Sequence, residues 1–308
     1  MLKTLEGKKL SDEIKAKVKK DVAELRGNGV DVGLALILSG NDLASKQYFN
    51  AILKAAEKVG VNVYEHILSP DVSINEILNL VNSINKDERM NGLLVFFPLP
   101  PRVNARRVVN AIIPAKDIDG LGAVSVGRLA AEESTFQLFH DDLHATLTDE
   151  RRILSVSNFL PCTPFGVIRL LKYSGVTIKG KNAVVIGKSL ATGKPLSLML
   201  LAKEATVTTC HRSTRDLAFH LKNADIICSA TGVRNLIKGD MISDGAVVVD
   251  IGVSVLGDGK IVGDVDFESV SKKASMITPV PGGVGPVTIA MLLENTVRSA
   301  QRSELLTV

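Results

Sequence analysis

The chain has 308 residues, 45% of them hydrophobic and 23% charged, with a net charge of +4. This is enough to bury a core and fill about two domains, which excludes small stapled scaffolds and disordered tails. Aromatic content of 4% without tryptophan argues against a base-stacking nucleic-acid binder. Cys162, Cys210 and Cys228 are too few and too far apart for a disulfide framework, so a reducing cytoplasm is the expected home. The mildly basic balance suits an anionic ligand.

Residues 1–20 alternate lysines with Glu6, Asp12 and Glu13 in an amphipathic helical pattern, without the apolar stretch of a signal peptide. No run reaches the roughly 18 apolar residues of a membrane span, so neither membrane nor nucleic-acid partners are expected. Short β-branched runs then alternate with helical periodicity: 32–39, 44–59, 62–67, 74–85 and 92–97. The rhythm weakens over 132–160, an inter-domain excursion, and resumes with 182–186, 196–203, 206–209, 215–222, 225–229 and 246–251. Two α/β domains with parallel sheets follow. A last helix, 287–302, comes after a Pro/Gly-rich loop and is expected to return to the first domain.

After the strand 182–186 the chain reads Gly187-Lys188-Ser189-Leu190-Ala191-Thr192-Gly193-Lys194-Pro195, then an apolar helix. Glycines here allow a phosphate to approach backbone N–H groups at a helix N-terminus, as in a Rossmann-like dinucleotide fold. A plain strand-to-helix turn competes with that interpretation of the loop alone. The next strand ends not in the acid expected for NAD but in Cys210-His211-Arg212-Ser213-Thr214. A guanidinium and hydroxyls there, with Lys188, favour the 2′-phosphate of NADP over NAD. A solvated basic turn remains the alternative, and His211 is equally well explained as a satisfied loop histidine.

Four further motifs stand out: Ser45-Lys46-Gln47-Tyr48, Pro98-Leu99-Pro100, Lys116-Asp117-Ile118-Asp119-Gly120 and Pro279-Val280-Pro281-Gly282-Gly283-Val284-Gly285-Pro286. Together with the nucleotide loop, the sequence resembles the methylenetetrahydrofolate dehydrogenase/methenyltetrahydrofolate cyclohydrolase family nearly end to end, outside 132–160. The resemblance implies a cytoplasmic homodimer acting on tetrahydrofolate derivatives with NADP. It implies an N-terminal βα folate domain, 1–125 completed by 285–308, and a Rossmann-like NADP-binding domain, 126–284. It also implies that Tyr48 lines the folate site, that Asp119 binds the pterin ring, and that Pro281, Gly282 and Gly283 belong to the loop closing over folate and cofactor. Gly187, Lys188 and Ser189 match the phosphate loop, Arg212 a second cofactor contact and Val253 a backbone contact near the nicotinamide.

Two positions depart from the family pattern. Ile52 stands where the family has its catalytic lysine, and Phe96 where it has the partner glutamine. Lys54 is no substitute, because on a helix it lies about 200° around from residue 52 at roughly 100° per residue. Loss of one partner alone would strand a buried polar group, whereas loss of both is nearly neutral. Dehydrogenation is therefore expected to survive and hydrolysis of the methenyl product to be weak or lost. The alternative is a non-catalytic folate- or nucleotide-binding paralogue. His140 and His144, at helical spacing, lack the glutamate and third ligand of a zinc hydrolase and are expected to be solvated. Cys162 reads as a small residue at a helix start, with Thr163 as its N-cap and Pro164 in the first turn.

Overall fold

The computed structural model describes residues 3–131, 159–257 and 259–307. In chain order its main elements are β1 (Lys3–Thr4), α1 (Gly7–Gly27), β2 (Gly33–Ser39), α2 (Leu43–Val59), β3 (Asn62–Leu68), α3 (Ile74–Lys86), β4 (Gly92–Val95), α4 (Ala105–Ala111) and α5 (Ala123–Ala130). There follow α6 (Cys162–Tyr173), β5 (Asn182–Ile186), α7 (Gly193–Ala202), β6 (Thr206–Cys210), α8 (Leu217–Lys222), β7 (Ile226–Ser229), β8 (Val247–Asp250), β9 (Ser254–Val255), β10 (Ile261–Val262), α9 (Phe267–Val270), β11 (Met276–Ile277) and α10 (Val284–Thr307). They divide into two compact units, one within Asp12–Cys162 and Ile289–Val308, the other within Met1–Ser11 and Thr163–Thr288.

The first unit holds a parallel sheet of order β3-β2-β4. Its central strand β2, Gly-Leu-Ala-Leu-Ile-Leu-Ser, is buried along its whole length, as an unbroken apolar run in a parallel sheet should be. Helix α2 starts where the Asp42 carboxylate accepts the Ser45 N–H at 2.7 Å and stops at left-handed Gly60. Ser73 and Glu76 satisfy each other's backbone N–H groups at the start of α3. The end of α10 belongs to this unit, as expected. Buried Asn295 donates to the carbonyls of Ile118 (2.8 Å) and Leu160 (3.3 Å), and the Ser299 hydroxyl to that of Ala115 (2.8 Å).

The second unit is built on a six-stranded sheet, β1-β11-β8-β7-β5-β6, parallel throughout. β5 has the following strand β6 on one side and β7 on the other. That reversal is the switch point beside which doubly wound folds bind ligands at the strand carboxyl ends. One difference from expectation lies at the N-terminus: Lys3–Thr4 pairs in parallel with Met276–Ile277, and the amphipathic helix begins only at Gly7. Two residues of strand carry no period that sequence could reveal. A second lies at α6, which starts at Cys162, so Thr163 sits inside the first turn instead of capping it.

Replacing Asn295 with alanine takes one donor from each of two buried carbonyls, leaving Ile118 only the weaker Cys162 thiol. We expect a loss of about 1–3 kcal/mol, seen as a lower urea midpoint at unchanged slope.

Candidate active site

Tyr48 and Phe49 lie on one turn of α2 and Ile52 on the next, and the helix is tied to the exit of β4 by the Ser45 hydroxyl donating to the Phe97 carbonyl at 2.8 Å. Phe96 follows β4 directly and donates its N–H to the Ile37 carbonyl at 2.9 Å. Its ring meets those of Tyr48 (5.7 Å between centroids, 61°) and Phe49 (5.4 Å, 56°). Edge and tilted contacts of this kind add to simple burial. Ile52 is 0% and Phe96 4% exposed, whereas Lys54 is exposed. The helical-wheel expectation is met: residue 54 points away from the face carrying 48 and 52.

Asp119 sits on a loop that Asp117 builds. The buried Asp117 carboxylate accepts the N–H groups of Leu121 (3.1 Å) and Gly122 (2.9 Å) and the Ser125 hydroxyl (2.5 Å), closing the chain into α5. Asp119 then accepts the N–H of Cys162 at 3.3 Å. That N–H is the first of α6 and has no partner inside its own helix, so a carboxylate there does the work of a cap from a distant loop. Burial, reinforced by the charge of Asp117, pushes Asp119 up to about 7; burial likewise pushes Asp117 up to about 6 against its hydrogen bonds. Burial also raises the Tyr48 hydroxyl well above its ordinary value, with the charge of Asp119 adding to it. Tyr48, Asp119 and Cys162 are thus in mutual electrostatic reach. The Cys162 thiol is pushed well up by burial and donates to the Ile118 carbonyl at 3.3 Å, the behaviour of a structural cysteine.

In the other unit, Gly187 follows β5 with φ +115°, and a Cβ there would fall 2.4 Å from the Ala230 carbonyl oxygen. A Cβ on Gly193 would fall 2.0 Å from the Gly187 carbonyl oxygen. Only glycines permit so tight a cradle at the N-terminus of α7. The Ser189 hydroxyl oxygen accepts the N–H groups of Thr192 (3.1 Å) and Gly193 (3.3 Å), bracing the loop from inside. Lys188 and Arg212 are exposed after β5 and β6, donor types suited to phosphate. His211 accepts the Ser213 N–H on Nδ1 at 3.2 Å, which makes it a satisfied loop histidine. Val253, 49% exposed, follows β8. Pro281, Gly282 and Gly283 follow β11 in a turn closed by the Gly283 N–H on the Pro279 carbonyl (2.9 Å) and held by the Gly7 N–H on the Gly282 carbonyl (3.0 Å). His140 and His144 lie outside the described residues.

Residues 5–119 match the model of the tetrahydrofolate dehydrogenase/cyclohydrolase catalytic domain, and residues 161–304 that of the NAD(P)-binding domain of the same family. The chain belongs to this family. The bifunctional protein FolD of Moorella thermoacetica is 45% identical over 97% of this chain and 98% of its own. The crystal structure of the bifunctional FolD methylenetetrahydrofolate dehydrogenase/cyclohydrolase from Campylobacter jejuni is 43% identical. It aligns with a TM-score of 0.87 over 98% of this chain and all of that one. The Trypanosoma brucei FolD, solved with NADP and an inhibitor, is 34% identical with a TM-score of 0.85 over 97% of each chain.

Asn295 and Asp117 escaped the sequence reading. Asp117 had a signal, two residues before Asp119 in one motif; Asn295 had none, because its partners are more than 130 residues away.

Asp117 and Asp119 hold protons in the folded chain at pH values where the unfolded chain has released them. The stability they contribute is therefore full in acid and is lost as pH rises through about 7. Asp119→Asn should melt above the native chain at about pH 8, with the gap closing by about pH 5. A gap independent of pH would contradict the assignment.

Proposed function

We propose that this chain is an NADP-dependent 5,10-methylenetetrahydrofolate dehydrogenase of one-carbon metabolism whose cyclohydrolase activity is weak or lost. The observation that carries the proposal is an end-to-end family match in which the glycine cradle and Asp119 are kept while residues 52 and 96 are apolar. Gly187, Lys188 and Ser189 would hold the dinucleotide phosphates, Arg212 the 2′-phosphate, and the backbone at Val253 the nicotinamide end. Bound NADP supplies the hydride acceptor.

The chain's own residues then decide which chemistry survives. Tyr48 offers the folate ring an aromatic wall, itself steadied by Phe96. Asp119, near neutrality in its proton affinity, is able to accept from and donate to a pterin edge. Pro281, Gly282 and Gly283 contribute the closing loop. Ile52 and Phe96 hold no proton and no charge. Hydride departure leaves a cation delocalised over two folate nitrogens and asks for alignment only, which Tyr48 and Asp119 provide. Hydrolysis of that cation asks for an activated water and a proton relay, worth about 10²–10⁴-fold, and Ile52 cannot supply it.

We also propose a cytoplasmic homodimer. Two features support it: β3 is an edge strand of its sheet and its own Ile67 is 68% exposed, and all three cysteines are free and buried. Among the described residues no helix is long and apolar enough to cross a membrane.

NADPH formation from methylenetetrahydrofolate is the direct test; tight folate and NADP binding without turnover would instead assign a binding paralogue, the outcome that the apolar residues 52 and 96 favour as a second reading. The double variant Ile52→Lys with Phe96→Gln should gain methenyl hydrolysis by at least about 10²-fold. A well-folded double variant without that gain would remove the explanation for its loss. Arg212→Ser should lower the preference for NADP over NAD, as a ratio of kcat/KM, by about tenfold or more.

A further inference from the structure

Two buried carboxylates in the NAD(P)-binding unit have no part in the chemistry above. Asp264 is 0% exposed, and its Oδ2 accepts three hydrogen bonds: from the Ser229 hydroxyl (2.8 Å), the Thr231 N–H (2.7 Å) and the Thr231 hydroxyl (2.8 Å). Asp250, at the end of β8, accepts the N–H groups of Gly252 (3.1 Å) and Asp264 (3.0 Å) on Oδ1 and that of Val265 (2.9 Å) on Oδ2. Its own N–H donates to the Thr278 hydroxyl at 2.7 Å.

These bonds run between the chain exits at the carboxyl edge of the sheet. Ser229–Thr231 leaves β7, Gly252–Val253 leaves β8, and Thr278 leaves β11 towards Pro281. The exit of β5 joins them through the close approach of Gly187 to the Ala230 carbonyl. Ser254 adds a cross-tie, its hydroxyl donating to the Gly232 carbonyl at 3.0 Å. The packing leaves no slack. A Cβ on residue 252 would fall 1.9 Å from Asp264 Oδ1, an oxygen that is buried and has no hydrogen-bond partner of its own.

Burying two carboxyl groups side by side carries a desolvation cost that an apolar core of the same shape would avoid. We propose that Asp264, acting with Asp250, is a positioning residue that sets the dinucleotide-facing loops after β7 and β8. Asp264 need not touch the ligand. It fixes Ala230, which bounds the phosphate cradle at Gly187, and through Asp250 it fixes the backbone of Gly252 that leads to Val253. The proposal rests on the dinucleotide-binding function above.

Calorimetric titration of NADP into the native chain, Asp264→Ala and Asp264→Asn, with a thermal melt of each, tests it. Asp264→Ala should weaken NADP binding at least about tenfold, while Asp264→Asn, which keeps one acceptor oxygen for the three donors, should stay within about threefold. The KM for the folate substrate should remain within about twofold in both. Thr231→Val, which removes one donor and keeps the shape, should weaken NADP binding about threefold and serves if Asp264→Ala does not fold. Native-like NADP binding by folded Asp264→Ala or by Thr231→Val overturns the proposal, as does equal damage by alanine and asparagine, or a parallel rise in the folate KM. A native chain that binds no NADP overturns the dinucleotide-binding function and this proposal with it. Native binding unaltered in Asp264→Ala overturns this proposal alone.

Discussion

Every strand of the two large sheets runs parallel to its neighbours, and a parallel sheet delivers all its chain exits to one edge. Backbone groups at that edge have left the ladder and need new partners. Residues placed there are therefore held by loop chemistry instead of by the sheet. Asp117 and Asp119 meet this need in one unit, Asp250 and Asp264 in the other. In each case a short acidic side chain accepts backbone N–H groups that helix or strand has left over, and the loop so fixed carries the groups assigned to ligands. Short acidic side chains suit the task because each offers two oxygens that can accept several leftover N–H groups at once.

The same physics separates Asp119 from the apolar residues at 52 and 96. Asp119 sits on a loop that Asp117 builds, and burial has moved its proton affinity towards neutrality. Residues 52 and 96 carry side chains whose stability comes from packing: Ile52 is wholly enclosed, and Phe96 makes ring contacts with Tyr48 and Phe49. A lone lysine or glutamine among these groups would carry an uncompensated desolvation cost of several kcal/mol for the charge or about 1–3 kcal/mol for the amide.

Much of this was legible in the sequence because it depended on local pattern. The β-branched runs marked β2, β5, β6 and β7 nearly to the residue: β2, β5 and β7 are mostly buried and read as short apolar stretches, and the largely exposed edge strand β6 reads as a valine–threonine run. The cradle at Gly187 and the exposed basic end of β6 were legible because each is a contiguous motif. The strand Lys3–Thr4 was not: its pairing with Met276–Ile277 spans almost the whole chain. Nor was the Asp119 bond to Cys162, or the role of Asn295, because a side chain serving a carbonyl elsewhere in the chain leaves no periodic trace. The start of α6 lies two residues earlier than the Thr163 cap implies for the same reason, its cap coming from Asp119 instead of from the preceding sequence.

The interleaving of the two units has a consequence for how the chain is made. The unit carrying Tyr48 and Asp119 is closed by Asn295 and Ser299, and the sheet of the other unit is edged by Lys3 and Thr4. On a ribosome, the half synthesised first must wait for the residues near 300 before its loop carbonyls find their donors. Lys3 and Thr4, in turn, must stay unclaimed until Met276 and Ile277 emerge. Neither half is a contiguous stretch that could complete itself in order of synthesis, so native closure of each waits for residues made long after most of that half.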